Sequence, residues 1–304
     1  MSGLIEAGTT VGNWRVVRYE DSGATADVYR ACRRDDESVI AAMKVLRECS
    51  ETAKKRFRIE IARARQLGEL DGFVKLIECG EYTGRMYYLM TWMERFPVRI
   101  GRRAAVHHFI RLAETMNSLH ERNLVHVDLK PRNFGLVGGK ATIGDLGSIQ
   151  SASHPEEVEH ITCTPGYAAK ELLEEHIASV RADVHALGMA LKKSADANAR
   201  VRLGSAISGA TDDDLADRYH DMNEFIAGMK KADADATFRD VLKIAAMATG
   251  ILLAAIAWLE FADKRFHDRV QLFERQHTPA EQTANRAAGN AGGQLIPKYG
   301  YMDQ

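Results

Sequence analysis

The chain has 304 residues, 45% hydrophobic and 27% charged, a globular composition that excludes a disordered or fibrous protein. Its 41 Lys and Arg against 42 Asp and Glu leave a net charge of -1, so there is no chain-wide basic field to hold a nucleic-acid backbone. The four cysteines, Cys32, Cys49, Cys79 and Cys163, stand singly without C-x-x-C spacing, which argues against a zinc site or a disulfide framework and suits a reducing cytosol. The opening MSGLIEAGTTVGNW has no basic region followed by an apolar stretch, so a secretory signal of that kind is not expected.

From about residue 13 to residue 46, short apolar pieces (WRVVRY, DVYRAC, VIAAMKVL) alternate with polar turns, a pattern that predicts antiparallel strands. Residues 52–70 place Phe57, Ile61, Ala64 and Leu67 on one face of a basic amphipathic helix. Residues 73–93 return to strand character around a Gly-containing turn, giving five strands and one helix in the order three strands, helix, two strands. Helix follows: Val106, Phe109, Ile110, Ala113, Met116 and Leu119 recur at helical spacing, and the chain to about residue 231 reads as mainly helical. From Gln276 the sequence is small, polar and Gly/Ala-rich and reads as mobile.

The segment LVHVDLKPRNFGLVGGKATIGDLGSIQ carries the chemistry. Asp128 and Asp145 lie 17 positions apart, with Lys130 and Asn133 just after the first. Phosphoryl transfer needs a carboxylate to orient the attacking hydroxyl, hard oxygen ligands for magnesium, and cations against developing phosphate charge. Asp128 supplies the first, Asn133 and Asp145 the second, and Lys130 the third.

These residues resemble the protein kinase family, specifically the eukaryotic-like serine/threonine kinases also found in bacteria. The catalytic-loop pattern appears as His126-Val127-Asp128-Leu129-Lys130-Pro131-Arg132-Asn133, and the metal-binding D-F-G as Asp145-Leu146-Gly147. The resemblance makes Lys44 the third-strand lysine and Glu60 its helix partner in positioning the α- and β-phosphates. It makes Glu171 the end of the activation segment TPGYAAKE, Arg218 the arginine paired with it, and Asp183 the aspartate of a buried helix. Lys130 and Thr164, whose hydroxyl would contact the catalytic aspartate and lysine, imply serine/threonine substrates. Gly23, Val28, Ala42 and the backbone of the 91–93 stretch ending at Met93 are implied as ATP contacts, with Met90 guarding the back of the pocket. ATP and Mg²⁺ are the implied cofactors, and proteins the substrates.

The chain also departs from the family pattern. The glycine-rich loop keeps only Gly23 of its three glycines, Asp21 adds negative charge near the phosphates, and Gly135 stands where an apolar adenine floor is usual, so weakened ATP binding is expected. Val127 replaces the arginine that grips a phosphorylated activation loop, so activity independent of such phosphorylation is expected. Ser148, Ser151, Ser153 and Thr162 remain modifiable hydroxyls.

Residues 244–259 carry no charge, and at ~1.5 Å per residue they span about 24 Å, short of a ~30 Å hydrocarbon core. Extension to residues 241–261 reaches about 31 Å, with Lys243 and Glu260 near the ends and Trp258 as an interfacial anchor. This reads as a single membrane span; a buried or interfacial helix, in a cytoplasmic protein, is the alternative. Flanking positive charges do not orient it, but a kinase needs cytosolic ATP. Ala246, Gly250 and Ala254 form a small-x-x-x-small face through which two copies could pair.

The expected architecture is therefore α+β. A two-lobed kinase fold occupies residues 13–231 (small lobe 13–93, large lobe 94–231). A linker at 232–240, a transmembrane helix at 241–261 and a tail at 262–304 follow. The leading function is a membrane-tethered serine/threonine protein kinase. A nucleotide-binding pseudokinase scaffold, motivated by the depleted loop, and a small-molecule kinase are the alternatives.

Overall fold

The computed structural model describes residues 5–23, 25–152 and 163–276. They fall into two units, Met1–Thr237 and Phe238–Gln304, each treated below by itself. In the first unit the strands β1 (Thr10–Val11), β2 (Trp14–Ser22), β3 (Ala26–Arg33), β4 (Ile40–Leu46), β5 (Leu76–Tyr82) and β6 (Arg85–Thr91) form one antiparallel sheet, ordered β1-β2-β3-β4-β6-β5. The expected five strands are β2 to β6. The sixth, β1, is only two residues long and lies upstream of the predicted start, where it carried no period of its own.

Strand alternation explains the two faces of this sheet. Ala41, Met43 and Val45 of β4 are fully buried with Val16, Tyr29 and Leu89 in a small core on one face. The intervening Ala42 and Leu46 belong to the other face, packed with Tyr88 and Met90 against helix α1 (Glu51–Leu67). Lys44 shares the period of Ala42 and Leu46, so the pleat aims it toward α1. Ser50 caps that helix by accepting the amide of Ala53, and Phe57, Ile61, Ala64 and Leu67 are buried as the pattern predicts.

The larger part of the unit begins with β7 (Glu94–Arg95) and helix α2 (Arg102–His120). The buried face of α2 carries Ala105, Phe109, Leu112, Ala113, Met116 and Leu119. Val106 and Ile110, expected on that face, are only half-buried, and Ala105 and Leu112 take their places, a rotation of the buried stripe by about one position. Strands β8 (Leu124–Val125), β9 (Phe134–Val137), β10 (Lys140–Ile143) and β11 (Gln150–Ser151) follow, with sheets β10-β9-β7 and β11-β8. The β9–β10 hairpin turns through Gly138 and Gly139, both left-handed at φ 56° and 77°, as a two-residue hairpin loop demands.

Helices α3 (Lys170–Glu174), α4 (Val180–Ser194), α5 (Ala197–Arg202), α6 (Gly204–Ala210) and α7 (Met222–Gln276) complete the fold. In α7, Met222, Phe225, Met229, Ala232 and Ala236 recur at helical spacing and are buried in the first unit. Residues 232–240, expected as a linker, are thus helical, and the first unit extends to Thr237 because those alanines continue the buried stripe. In the second unit, Val241, Ile244, Ile251, Leu252, Trp258 and Phe261 are all exposed. Residues 277–304, including most of the tail expected to be mobile, lie outside the described residues.

Candidate active site

Two groups of side chains meet below the six-stranded sheet. The first is built on β4, α1 and the turn after β10. Lys44 Nζ donates to Glu60 Oε1 at 2.5 Å and to Asp145 Oδ1 at 3.0 Å. Tyr88, directly opposite Lys44 in the β4–β6 register, donates its hydroxyl to the same Glu60 oxygen at 2.8 Å. Glu60 is 7% exposed, so its charge depends on these partners. Burial opposes the charge on Lys44, but the neighbouring Glu60 and Asp145 carboxylates outweigh it and hold the ammonium well above the ordinary lysine value. The charge of Lys44 in turn holds the Asp145 carboxyl below its usual range, against the opposing effect of burial.

The second group is built on the loop between β8 and β9. Lys130 Nζ donates to Asp128 Oδ2 at 2.5 Å and to Thr164 Oγ1 at 2.8 Å, and Thr164 donates to Asp128 Oδ1 at 2.7 Å, closing a triangle. The Asn133 side-chain amide donates to the Asp128 carbonyl at 2.8 Å, which leaves its oxygen as the end free to act as a ligand. The Gly144 amide donates to the Asn133 carbonyl at 2.8 Å, so the residue before Asp145 is fastened to the second group. Asn133 and Asp145 are thereby tied together across β9 and β10. Among the described residues no cluster of three or more His, Cys, Asp or Glu is placed to hold a metal unaided. One amide oxygen and one carboxylate instead suit Mg²⁺, which keeps waters and shares its shell with phosphates.

The loop carrying Asp128 is held in strain. Val127 has φ 73°, unfavourable for a β-branched residue. Its amide and that of His126 donate to the two oxygens of Asp183 at 2.9 and 2.8 Å, and His120 Nε2 lies 2.9 Å from one of them. Asp183 is 1% exposed and on α4. Glu171 and Arg218 form a two-pronged buried pair at 2.5 and 3.3 Å, with Arg218 Nε donating to the Asp212 carbonyl at 2.7 Å. Glu171, Asp183 and Arg218 thus lie outside the two groups and act as supports. Leu146, which follows Asp145, is buried in the apolar core.

Val28 pairs with Lys44 and Ala42 with Met90 in strand register, and Val28 and Met93 are partly buried against the cluster that holds Ala42 and Met90. The Gly23 amide donates to the Ala26 carbonyl at 2.8 Å, closing the turn after β2; Ala24 lies outside the described residues. The acidic Asp21 has a partner that sequence reasoning missed: Arg132, in the loop between β8 and β9, donates to both its oxygens at 2.6 and 2.9 Å. Tyr88 and His120 were missed too. Tyr88 shares the alternation of Met90 and could have been placed on the Lys44 face by period alone, whereas nothing local marks His120. Ser153 and Thr162, noted as modifiable, lie outside the described residues.

His185 of α4 supports the segment after Thr164, its Nδ1 lying 3.1 Å from the Tyr167 carbonyl. Burial first, then the charge of Arg218, pushes its imidazole below the ordinary value. Burial and His107 act likewise on His108. With the folded values below the unfolded one, the stability these rings contribute is complete above about pH 6.5 and is lost as pH falls toward the folded values. The melting temperature is expected to drop between about pH 7 and pH 5, and His185→Gln to flatten part of that drop; calorimetry across the range checks it.

The protein kinase domain family model matches residues 21–202, and the chain belongs to this family. It is 27% identical over 208 residues to serine/threonine-protein kinase PknJ of Mycobacterium tuberculosis, covering 63% of this chain and 35% of that protein. It is 27% identical over 197 residues to the mitosis inhibitor protein kinase wee1 of Schizosaccharomyces pombe, covering 60% of this chain and 22% of that protein. The chain thus spans about a third or less of these relatives' length. Among solved structures, the kinase domain of Mycobacterium tuberculosis PknI matches with a TM-score of 0.56 and 23% identity, over 76% of this chain and all of that one. That likeness establishes the two-lobed kinase fold.

Proposed function

We propose that this chain is a serine/threonine protein kinase that transfers the γ-phosphate of ATP, with Mg²⁺, to protein hydroxyls. The observation that carries the reading is the meeting of Lys44, Glu60 and Asp145 with the Asp128–Lys130–Thr164 triangle through Asn133 and Gly144. In this reading Glu60 and Tyr88 hold Lys44 against the triphosphate, and Asn133 and Asp145 supply the protein's oxygen ligands to the metal. Bound Mg²⁺ would neutralise charge on the phosphate oxygens. Asp128 orients the substrate hydroxyl and accepts its proton, Lys130 offsets negative charge on the moving phosphoryl group, and Thr164 fixes both. The test is incubation of the purified chain with labelled ATP, Mg²⁺ and a protein acceptor, followed by mapping of the labelled residues. Label on serine or threonine is expected. ATP binding without transfer would mark a scaffold instead, and label confined to small molecules would exclude a protein kinase.

Activity independent of activation-loop phosphorylation is part of the proposal, supported by Val127 where a phosphate-gripping arginine would stand. Phosphatase-treated protein is expected to retain its rate. The Asp21–Arg132 pair also bears on nucleotide binding, because Arg132 neutralises an acidic residue beside the turn after β2. Arg132→Ala is expected to weaken ATP binding about two- to fivefold at low salt, and less at high salt, in a nucleotide titration.

We further propose that residues 241–261 tether the kinase to a membrane with the catalytic unit on the cytosolic side, where ATP is. Among the described residues α7 has an apolar window long enough to cross a membrane, and none of that window is buried. Leaving so many large apolar side chains in water is costly, and hydrocarbon would remove that cost. Deleting residues 241–261 is expected to move the protein from the membrane to the soluble fraction on cell fractionation. The space beside Gly250 is open, which supports pairing of two spans along the Ala246, Gly250 and Ala254 face; Gly250→Ile is expected to abolish that pairing in cross-linking.

A further inference from the structure

We infer that the side chain of Met93 is the apolar surface on which the base of the nucleotide rests, and that β9 has surrendered its own side chain to make room for it. The inference rests on the nucleotide reading above and extends it to base recognition. Strand β7 approaches β9 so closely that a methyl group placed on Gly135 would lie 2.8 Å from the Glu94 carbonyl oxygen and 2.4 Å from Met93 Cβ. The first of these is backbone, so no rotation of a side chain relieves it. The pairing of Glu94 with Leu136 and of Arg95 with Gly135 fixes that approach. Any residue larger than glycine at position 135 is therefore excluded, and β9 presents bare backbone at this point.

The Met93 thioether fills the gap. Its sulfur would lie 3.0 Å from a methyl group on Gly135, and its Cε 2.6 Å from one on Gly144. The side chain thus runs from the strand beside the catalytic loop to the residue immediately before Asp145, across two glycines that both make way for it. Gly144 is the residue whose amide is bonded to the Asn133 carbonyl, so the methyl end of Met93 lies beside the backbone that joins the two candidate metal ligands. Met93 is only half-buried and packs with the cluster that holds Ala42 and Met90. With the triphosphate fixed by Lys44 and the metal ligands, a planar aromatic base extending into this apolar lining meets a polarisable sulfur and a methyl group. Methionine suits such a surface because thioethers attract aromatic rings and adapt to their shape. The weakening of ATP binding expected from a glycine at position 135 is offset by this residue.

The test uses the full chain in detergent, titrated with ATP and with inorganic tripolyphosphate, each with Mg²⁺. Met93→Ala is expected to weaken ATP binding about tenfold while leaving tripolyphosphate binding unchanged, and Met93→Leu to stay within about threefold of the parent. With ¹³C-methyl methionine, and Met93 assigned from the leucine variant, ATP is expected to move the Met93 methyl resonance by the ring current of the base, and tripolyphosphate to leave it in place. Unchanged ATP affinity in Met93→Ala, equal loss for both ligands, or a Met93 methyl indifferent to ATP would overturn the assignment and leave the nucleotide site standing. A parent chain that binds tripolyphosphate no more weakly than ATP would also overturn it. A parent that binds neither would remove the nucleotide reading itself.

Discussion

Asp128→Ala is expected to lower phosphoryl transfer by about 100- to 10,000-fold, the range typical of removing a general base, with little change in ATP affinity. The geometry gives the reason: both Asp128 oxygens are engaged, one by Lys130 and one by Thr164, so the carboxylate is held in one orientation. After its removal Lys130 and Thr164 still bond each other, and the loop remains tied to Asp183, so the fold should persist. Lys44→Met is expected to lose activity by a different route. It removes the cation between Glu60 and Asp145 and leaves the buried Glu60 carboxylate to the Tyr88 hydroxyl. Breaking a buried pair from one side costs about 3–5 kcal/mol, so this variant should melt lower as well as bind ATP more weakly. Transfer assayed beside a thermal melt separates the two cases. Transfer that survives in Asp128→Ala would overturn the assignment of the base.

Arg218→Ala is expected to be among the most destabilising single changes in the chain. The guanidinium is 1% exposed, grips Glu171 with two nitrogens and also donates to the Asp212 carbonyl. Truncation leaves a carboxylate at 6% exposure without its cation and the Asp212 and Arg181 carbonyls without this donor, at a cost of about 3–5 kcal/mol. For a unit of this size that is a melting-temperature drop of about 10 °C. Replacing both partners with apolar residues of similar volume should cost less than Arg218→Ala alone, because no buried charge is stranded. If the double variant melts lower than the single one, the pair contributes more than it costs to bury. His185 would respond in Arg218→Ala as well, its imidazole rising once the neighbouring positive charge is gone.

Much of this architecture is legible in the chain itself, for physical reasons that vary from element to element. The period-two geometry of β2 to β6 places residues on alternating faces, so alternation alone puts Lys44 on the face of Ala42 and Leu46. Helix α1 was equally clear, because Phe57, Ile61, Ala64 and Leu67 are large or tightly spaced against a basic surround. Helix α2 was less so. Val106 and Ile110 are as apolar as Leu112, and only the neighbours of the helix decide which stripe is covered. The two-residue β1 is too short for any period to show. Residues 232–240 read as a linker because their charges hide the buried Ala232 and Ala236. At the site, Asp128, Lys130 and Asn133 are local in sequence and legible from it. The partners of the other acids, Tyr88 for Glu60, His120 for Asp183 and Arg132 for Asp21, lie far from those acids along the chain and depend on tertiary placement.

The unfavourable backbone at Val127 has a consequence for control. Its conformation is maintained by one carboxylate, that of Asp183, and that carboxylate belongs to helix α4 rather than to the cleft. The aim of Asp128 is therefore set from two sides, by Lys130 and Thr164 at its carboxylate and by Asp183 behind the backbone that carries it. Anything that shifted the first turn of α4 is expected to loosen the backbone on which Asp128, Lys130 and Asn133 are mounted, lowering phosphoryl transfer and metal-dependent nucleotide binding together.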